Sequence, residues 1–206
     1  MTDKKGFTLI EILIVVAITA VLSALAIVYS HVGQNQIALS IEESKVAQLI
    51  LEAKELSIAT YSQNDTTCGY GVSFDFAASS YSLFEYDSAT TTVAGTRPTC
   101  PSIASTSAAI DSSAIREYQA GSWQVPTAQG VVLVSPAVSG ATTTIQDIMF
   151  YPPNPCTLVS TDGSSFQSVC DPGGANPPAE AEVILSTSDG SLTRTITVNP
   201  AGQVSL

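Results

Sequence analysis

The sequence predicts an α+β protein in which a long N-terminal α-helix packs on a C-terminal antiparallel β-sheet domain. Three observations lead to this fold class. From Phe7 to Tyr29 the chain is apolar apart from a few hydroxyl groups and the carboxylate of Glu11. It then continues to Ser62 without a proline and with Gly33 as its one glycine. Beyond Ser62, β-branched and aromatic residues alternate with small polar residues in short segments, which is typical of strands.

The segment Phe7 to Tyr29 is long enough to cross a bilayer as a helix. Its 23 residues cover roughly 35 Å at about 1.5 Å per residue, and a hydrocarbon core is about 30 Å thick. Lys4 and Lys5 precede the segment and no basic residue follows closely, so the positive-inside rule predicts a cytoplasmic N-terminus. We therefore expect a single-pass protein of the cytoplasmic membrane with an extracytoplasmic C-terminal domain.

Glu11 is the unusual residue of this segment. A carboxylate near the membrane centre costs about 2.5 to 3.5 kcal/mol on insertion scales, so an acid inside a span indicates a function and needs a partner. The alternative is a plain signal anchor that carries an incidental Glu near its cytoplasmic end.

The motif Lys5-Gly6-Phe7-Thr8-Leu9-Ile10-Glu11, followed by the apolar run, resembles the N-terminus of type IV pilins and type II secretion pseudopilins. The resemblance implies the pilin fold, cleavage by a prepilin peptidase after Gly6, and N-methylation of the new N-terminal Phe7. It also implies polymerisation with other pilin subunits through an inner-membrane assembly platform, into a surface filament or a periplasmic pseudopilus. Glu11 of one subunit can then neutralise the α-amino group of Phe7 in its neighbour and fix the register of assembly.

Two further stretches resemble a subgroup of this family. The first is Tyr70 to Asp75 with Tyr81 to Phe84, and the second is the ending Thr195 to Val204. Both are similar to the minor pseudopilins of the H type in type II secretion and to the related minor fimbrial pilins. This resemblance implies a structural, minor subunit.

The predicted organisation has four parts. They are a leader peptide (1–6), a transmembrane half of the helix (7–29), an amphipathic half of the same helix (30–62) and an extracytoplasmic β domain (63–206). In the amphipathic half, one set of residues has helical spacing and should pack on the sheet: Val46, Leu49, Ile50, Ala53, Leu56 and Thr60. The acids of this half are expected to face water: Glu42, Glu43, Glu52 and Glu55.

The β domain should begin with a hairpin of Tyr70 to Phe76 and Tyr81 to Tyr86, and an irregular stretch from Ser88 to Ser113 should follow it. Further strands are expected at Ala114 to Gln119, Val131 to Ser135, Ile145 to Tyr151 and in a hairpin within Cys156 to Cys170. The closing meander comprises Glu182 to Thr187, Leu192 to Asn199 and Gln203 to Leu206. One face of that meander should carry Ile196, Val198, Val204 and Leu206.

The four cysteines, Cys68, Cys100, Cys156 and Cys170, all lie in the exported part, where disulfides form. An even number allows two disulfides in three pairings, and nearness in sequence favours Cys68 with Cys100 and Cys156 with Cys170. A zinc site is the alternative, but the close ligand spacing of structural zinc sites is missing.

The charge of the chain argues against nucleic acid as a partner. The formal net charge is −11, and loss of residues 1–6 removes one acid and two lysines, which leaves −12 on side chains. The remaining five basic residues are scattered, so no basic footprint for nucleic acid is present.

No catalytic or cofactor site is expected. The one histidine, His31, lies where the helix should leave the membrane, so a catalytic triad is disfavoured. An acid pair among Asp75, Glu85, Asp87 and Asp111, or calcium at Asp162, Asp171 or Asp189, is less probable than solvated or turn-forming carboxylates. Trp123 is expected in the core or a hairpin rather than in a sugar-binding platform.

Three functional hypotheses remain open from the sequence. The first is a filament subunit of a pilus or secretion pseudopilus. The second is a minor pilin at the filament tip that serves adhesion or DNA uptake, although the acidity of the chain argues against DNA. The third is an anchored lectin or enzyme that does not polymerise and keeps its first six residues.

Overall fold

In the computed structural model, a long N-terminal helix is followed by short antiparallel strands. Residues 8–61, 67–87, 108–109, 115–117, 124–134, 145–152, 156–161, 165–168 and 180–206 are described. Helix α1 is Leu9–Tyr61, 53 residues long. The strands are β1 Thr67–Asp75, β2 Ser80–Asp87, β3 Ala108–Ala109, β4 Ile115–Glu117, β5 Val125–Pro126, β6 Val131–Val134, β7 Asp147–Tyr151, β8 Cys156–Ser160, β9 Ser165–Ser168, β10 Ala181–Thr187, β11 Thr193–Val198 and β12 Val204–Ser205.

The described strands form two antiparallel sheets. The larger has the order β3-β9-β8-β7-β1-β2-β4, and β5 pairs with another part of β2. The smaller has the order β12-β11-β10-β6. Strand β1 therefore lies between β2 and β7, with Tyr70 opposite both Glu85 and Phe150.

The chain divides into two compact units, Met1–Ile37 and Ala38–Leu206. In the first unit, the described part of α1 has apolar side chains that are exposed, from Leu9 to Leu25. In the second unit, α1 buries one stripe that includes Leu39, Val46, Leu49, Ile50 and Ala53. The absence of proline and the helical spacing of this stripe explain why the helix continues to Tyr61.

The main core of the second unit joins α1 to both sheets. Ile50 and Ala53 of the helix share one hydrophobic cluster with Val72 of β1, Val183 of β10 and Ile196 of β11, and all five are completely buried. Burying a side chain such as Ile contributes about 1.5 to 3 kcal/mol. The helix stripe is therefore the common packing surface of the two sheets.

Two polar side chains of α1, Ser57 and Lys54, fix the helix against the strands with hydrogen bonds. The hydroxyl of Ser57 accepts a hydrogen bond from Tyr70 N and donates one to Phe150 O, both at 2.9 Å. Lys54 Nζ donates to the carbonyl oxygens of Ala201 and Gly202 at 3.1 and 3.0 Å. Gly202 has a φ of +67°, which favours glycine at this turn between β11 and β12.

The expectation that Glu42 and Glu43 face water is wrong. Glu42 is 0% exposed and Glu43 is 8% exposed, because both lie one helical turn before Val46 and so point to the same side of α1. Glu42 Oε1 accepts a hydrogen bond from Tyr81 Oη at 2.8 Å, and Oε2 accepts one from Lys45 Nζ at 3.2 Å. Glu43 Oε2 lies 4.0 Å from Arg194 Nε. Glu52 and Glu55 are exposed as expected.

The larger sheet also buries its second face. Strand β7 is buried on both faces, since Ile148 and Phe150 join the main core while Met149 joins a second cluster. Gly71 of β1 lies beside this second cluster. A Cβ atom on Gly71 would stand 2.5 Å from the carbonyl oxygen of Ile148 and would also meet the ring of Phe84. A residue with a side chain would therefore push Phe84 out of its packing.

Cys68 belongs to the same cluster, is 2% exposed and is disulfide-bonded. Its partner is one of the three cysteines whose side chains lie outside the described part of the chain. The predicted pairing of Cys68 with Cys100 and of Cys156 with Cys170 stays a prediction, because Cys100 and Cys170 lie outside the described residues.

Most predicted strands are confirmed. The first hairpin, the strand near Val131, the pairing of β8 with β9 and the closing meander all occur. Two sheets form instead of one, β5 was not expected, and β3 falls in the stretch expected to be irregular. The last strand is shorter than the expected Gln203 to Leu206: β12 is Val204–Ser205, and Leu206 lies beyond it and is 68% exposed.

The buried contact between Tyr81 and Glu42 should be measurable in the stability of the protein. Burial, and then the hydrogen bond with Glu42, raise the pKa of Tyr81 above its usual 10.0. In a Tyr81→Phe variant, Glu42 loses one of its two hydrogen-bond donors, and we expect the free energy of unfolding to fall by about 1 to 3 kcal/mol. Urea denaturation of the full-length chain in detergent at pH 7 measures this loss.

Tyr81 should also limit the stability of the protein at alkaline pH. Because the folded state raises the pKa of Tyr81, its contribution to stability is complete below pH 10 and is lost as the pH rises through the raised pKa. The Phe variant should therefore lose less stability above pH 10 than the wild-type protein does. Tyr29→Phe is the control, since Tyr29 is 85% exposed. A Tyr81→Phe protein as stable as the wild type would contradict the prediction.

Candidate processing and assembly site

The first turn of α1 is closed by a reciprocal pair of contacts between Thr8 and Glu11. Glu11 N donates to Thr8 Oγ1 at 3.4 Å and to Thr8 O at 3.1 Å. In return, Thr8 N and Thr8 Oγ1 each donate to Glu11 Oε2 at 3.1 Å. This is a capping box, in which the residue before the helix and the third helical residue satisfy each other's free N–H groups.

The carboxylate of Glu11 also lies at the favourable end of the helix. The N-terminus of a helix carries a partial positive charge, and an acid in the first turn stabilises it by about 0.3 to 1 kcal/mol. Oε2 makes both contacts with Thr8, while Oε1 accepts no hydrogen bond from any described residue. One oxygen of Glu11 is therefore used within the helix and the other is available to a second donor.

The other predicted site residues are placed as follows. Gly6 and Phe7, at the expected cleavage position, lie outside the described residues, and Thr8 is the first residue described after them. Glu11 is in the first turn of α1 and is exposed. Cys156 begins β8, opposite Tyr151 of β7.

The helix beyond Glu11 presents an apolar surface. Leu9–Ala26 is long and apolar enough to cross a membrane, and none of it is buried within the chain. Its two hydroxyl side chains bond to the helix backbone, with Thr19 Oγ1 donating to Val16 O at 3.0 Å and Ser23 Oγ donating to Thr19 O at 2.8 Å. These hydroxyls therefore do not need water, which suits a helix in lipid.

Three acids that the sequence offered as candidates for a catalytic pair, Asp75, Glu85 and Asp87, lie in a turn or in paired strands. Asp75 Oδ1 accepts from the backbone N–H groups of Ala77 and Ala78, both at 2.9 Å. Asp87 Oδ1 accepts from Thr67 Oγ1 at 3.3 Å, and Glu85 lies opposite Arg116 in the sheet. Turn formation and strand pairing therefore explain why acids occur at these positions.

Asp189 also serves a turn. Hydrogen bonds with Thr187 and then with Ser191 lower the pKa of Asp189 to about 2. Asp111, Asp162, Asp171 and Trp123 lie outside the described residues. Within the described ranges, His, Cys, Asp and Glu side chains form no group of three or more that could hold a metal ion.

Thr8 is the functional residue that our sequence analysis missed. The signal was present, because Thr8 is followed three residues later by Glu11 and then by an apolar run, which is the sequence signature of a capping box. Because a carboxylate is costly inside a membrane, the sequence directed attention to a partner for Glu11 in another subunit. Thr8, in the same chain, is its hydrogen-bond partner in the structure.

Comparison with known proteins gives one match. Residues 1–27 match the family model described as the prokaryotic N-terminal methylation motif. No curated protein and no solved structure matches the chain.

The match covers the segment that contains Gly6, Phe7, Thr8 and Glu11. The match assigns a prokaryotic N-terminal methylation motif to this segment, and the apolar helix Leu9–Ala26, long enough to cross a membrane, begins within it. The α+β architecture, with the apolar helix first and antiparallel sheets after it, is consistent with the pilin fold.

The capping box should control the stability of the first helical turn. Thr8→Ala removes the hydroxyl that accepts from Glu11 N, and loss of such a cap costs about 1 kcal/mol. We expect the amides of Glu11 and Ile12, which bond to Thr8, to exchange with solvent about fivefold faster, measured by hydrogen–deuterium exchange of the full-length chain in detergent micelles. Thr19→Ala, which removes a hydroxyl from the middle of the span, should leave this turn unchanged. Equal exchange in the Thr8→Ala and wild-type proteins would refute the capping role.

Proposed function

We propose that this chain is a structural subunit of a type IV pilus or type II secretion pseudopilus. It is made as a membrane-anchored precursor, is cleaved after Gly6, is N-methylated on Phe7, and polymerises through α1. The observation that carries the proposal is the methylation motif at residues 1–27, which leads into an exposed apolar helix whose first turn holds Glu11.

The apolar half of α1 has two successive environments in this proposal. Before assembly it spans the cytoplasmic membrane, with Lys4 and Lys5 on the cytoplasmic side and the second unit outside. During assembly, helices of other subunits replace lipid around it. Both environments are apolar, so leaving the membrane does not expose the side chains from Leu9 to Leu25 to water.

Cleavage creates a charge that needs a partner. A free α-amino group at Phe7 would be cationic, next to a helix end that already carries a partial positive charge. Outside water, an uncompensated ion costs several kcal/mol, whereas a close carboxylate reduces this cost. Glu11 is the one acid between Phe7 and Tyr29, and so it is the partner that we assign to the amine.

The two oxygens of Glu11 allow two roles at the same time. Oε2 is held by Thr8 N and Oγ1 in the capping box. This contact fixes the carboxylate at the helix start, and Oε1 can then accept a hydrogen bond from the Phe7 amine of a neighbouring subunit. In this scheme the pairing sets the axial register between subunits.

The similarity of two stretches, Tyr70 to Phe84 and Thr195 to Val204, to H-type minor pseudopilins and minor fimbrial pilins supports a minor subunit. A second candidate function is binding at the filament tip. The observation that favours it is a solvent-open cleft of about 490 Å³ in the second unit, at the end of the β1–β2 hairpin.

We also propose that the disulfides join Cys68 to Cys100 and Cys156 to Cys170. The disulfide at Cys68 supports an oxidising compartment for the second unit. Peptide mapping by mass spectrometry without reduction should recover these two cross-linked peptide pairs. A peptide that joins Cys68 to Cys156 or to Cys170 would overturn this pairing.

The assembly proposal is tested by separating the charge of Glu11 from its capping role. Glu11→Gln removes the charge but keeps a side chain that can complete a capping box. Thr8→Ala weakens the cap but keeps the charge. Each variant is expressed with the prepilin peptidase and the other subunits of the filament. Intact mass reports the loss of residues 1–6 and the added methyl group, and immunoblotting of sheared filaments reports incorporation.

We expect both variants to be inserted and cleaved, and Glu11→Gln to be incorporated at least tenfold less than the wild type. An amine left without its carboxylate in an apolar interface costs about 3 to 5 kcal/mol. Thr8→Ala should keep most incorporation. The opposite result, in which Glu11→Gln assembles normally and Thr8→Ala does not, would reduce Glu11 to a helix cap. A mature protein that retains residues 1–6 would remove the basis of the proposal.

A further inference from the structure

The end of the β1–β2 hairpin forms a cleft that the filament proposal does not use. Its volume is about 490 Å³, within the range of roughly 300 to 1,000 Å³ that is typical of small-molecule sites. Six of the residues that line it have small or amide-type polar side chains: Ser73, Asp75, Ser80, Ser82, Gln124 and Gln146. The other four are Phe74, Phe76, Ala77 and Tyr81, of which Phe74 and Tyr81 are buried in the main core.

The hairpin register explains how the hydroxyl groups come together. Ser73 of β1 lies directly opposite Ser82 of β2, and Asp75 lies opposite Ser80. In an antiparallel pair, opposite residues have side chains on the same face, and residues two apart share that face. Four polar side chains of the hairpin therefore form one patch. Asp75 also orders the turn through its Oδ1 atom.

Most side chains of this polar wall have no hydrogen-bond partner among the described residues. The side chains of Ser73, Ser80, Ser82, Gln124 and Gln146 make no hydrogen bond to any described residue, and Asp75 Oδ2 accepts none. Ser80 is the extreme case, since it is 5% exposed and its hydroxyl is buried without a partner. A buried polar group in this state costs about 1 to 3 kcal/mol, and a ligand hydroxyl that bonded to it would remove that cost.

The chemistry of the wall defines the class of ligand. Each hydroxyl and carboxamide side chain offers both a donor and an acceptor, which matches ligand hydroxyl groups that are also donor and acceptor at once. None of the lining residues is Lys, Arg or His, so an anion would meet only the carboxylate of Asp75. One carboxylate is also too few for a hard cation, which needs several converging oxygens.

We propose that this cleft binds a neutral, hydroxyl-rich ligand of one or two sugar rings. The hydroxyl and carboxamide groups bond to the ligand hydroxyls. The source is either a free sugar or the exposed end of a glycan. The proposal does not depend on polymerisation, because every lining residue lies in the second unit.

Saturation-transfer difference NMR tests the proposal with the full-length chain in micelles of a detergent that carries no sugar headgroup. The probes are galactose, glucose, mannose and N-acetylglucosamine at millimolar concentration, each as the free sugar and as its methyl glycoside. We expect at least one of them to receive saturation from the protein. Binding of a methyl glycoside identifies a glycan end as the source, and binding of the free sugar alone identifies a free sugar. The 6-phosphate of a bound sugar should bind more weakly than the sugar itself.

Two variants locate the site. Ser82→Phe places a ring in the cleft at a half-buried strand position that tolerates aromatic residues, and it should abolish the signal. Ser80→Ala removes a buried hydroxyl that bonds to none of the described residues. It should therefore raise the unfolding midpoint, because the cost of the unpartnered group is removed, and weaken binding about fivefold. Thr195→Ala, an exposed strand hydroxyl that does not line the cleft, is the matched control and should bind normally.

No saturation transfer to any neutral sugar, or an undiminished signal in Ser82→Phe, would overturn the proposal. Stronger binding of the sugar phosphate would overturn the assignment of a neutral ligand. Unchanged affinity in Ser80→Ala would overturn the role given to that hydroxyl. All of these measurements use unassembled protein, so their failure would leave the filament proposal standing.

Discussion

Burial of one stripe of α1 against both sheets is the contact on which the second unit depends. Ile50 and Ala53 are completely buried in the same cluster as side chains from β1, β10 and β11. The two sheets share no strand pairing among the described residues, so the helix stripe and the side chains around it join them. Without the helix, each sheet would expose the face that carries Val72 or Val183 to water. The helix is therefore part of the core of the second unit as well as a membrane anchor.

Polar contacts add specificity to this apolar packing. Ser57 reaches backbone atoms of β1 and β7, Lys54 reaches the turn after β11, and Glu42 reaches Tyr81 of β2. A buried carboxylate or hydroxyl is costly without its partner, so a helix shifted by one turn would lose these bonds as well as its packing. The contacts thus select one register of α1 against the sheets.

The sequence was sufficient to predict the helix and most strands and to single out Glu11, because each has a strong local signal. An apolar run, a period of two residues or a single charge in a span can be recognised without knowledge of contacts. The burial of Glu42 was missed because acids were assigned to water by residue type, although position on the helix placed them beside Val46. The division into two sheets and the position of β5 depend on long-range pairing, which periodicity does not encode. The cleft at Ser80 required the hairpin register together with the positions of Gln124 and Gln146, which are distant in sequence.

The capping box explains how one carboxylate serves both a single chain and a polymer. A cation at residue 7 would destabilise the start of α1, because it adds to the partial positive charge of the helix end. Glu11, held by Thr8, offsets this charge in the chain's own first turn before any neighbour is present. In the proposed filament, the free Oε1 meets the amine of the next subunit at a position already fixed by Thr8, so less side-chain freedom is lost on assembly. In the proposed filament, the helix cap would therefore lower the cost of the subunit contact, because Thr8 has already fixed the carboxylate that the amine meets.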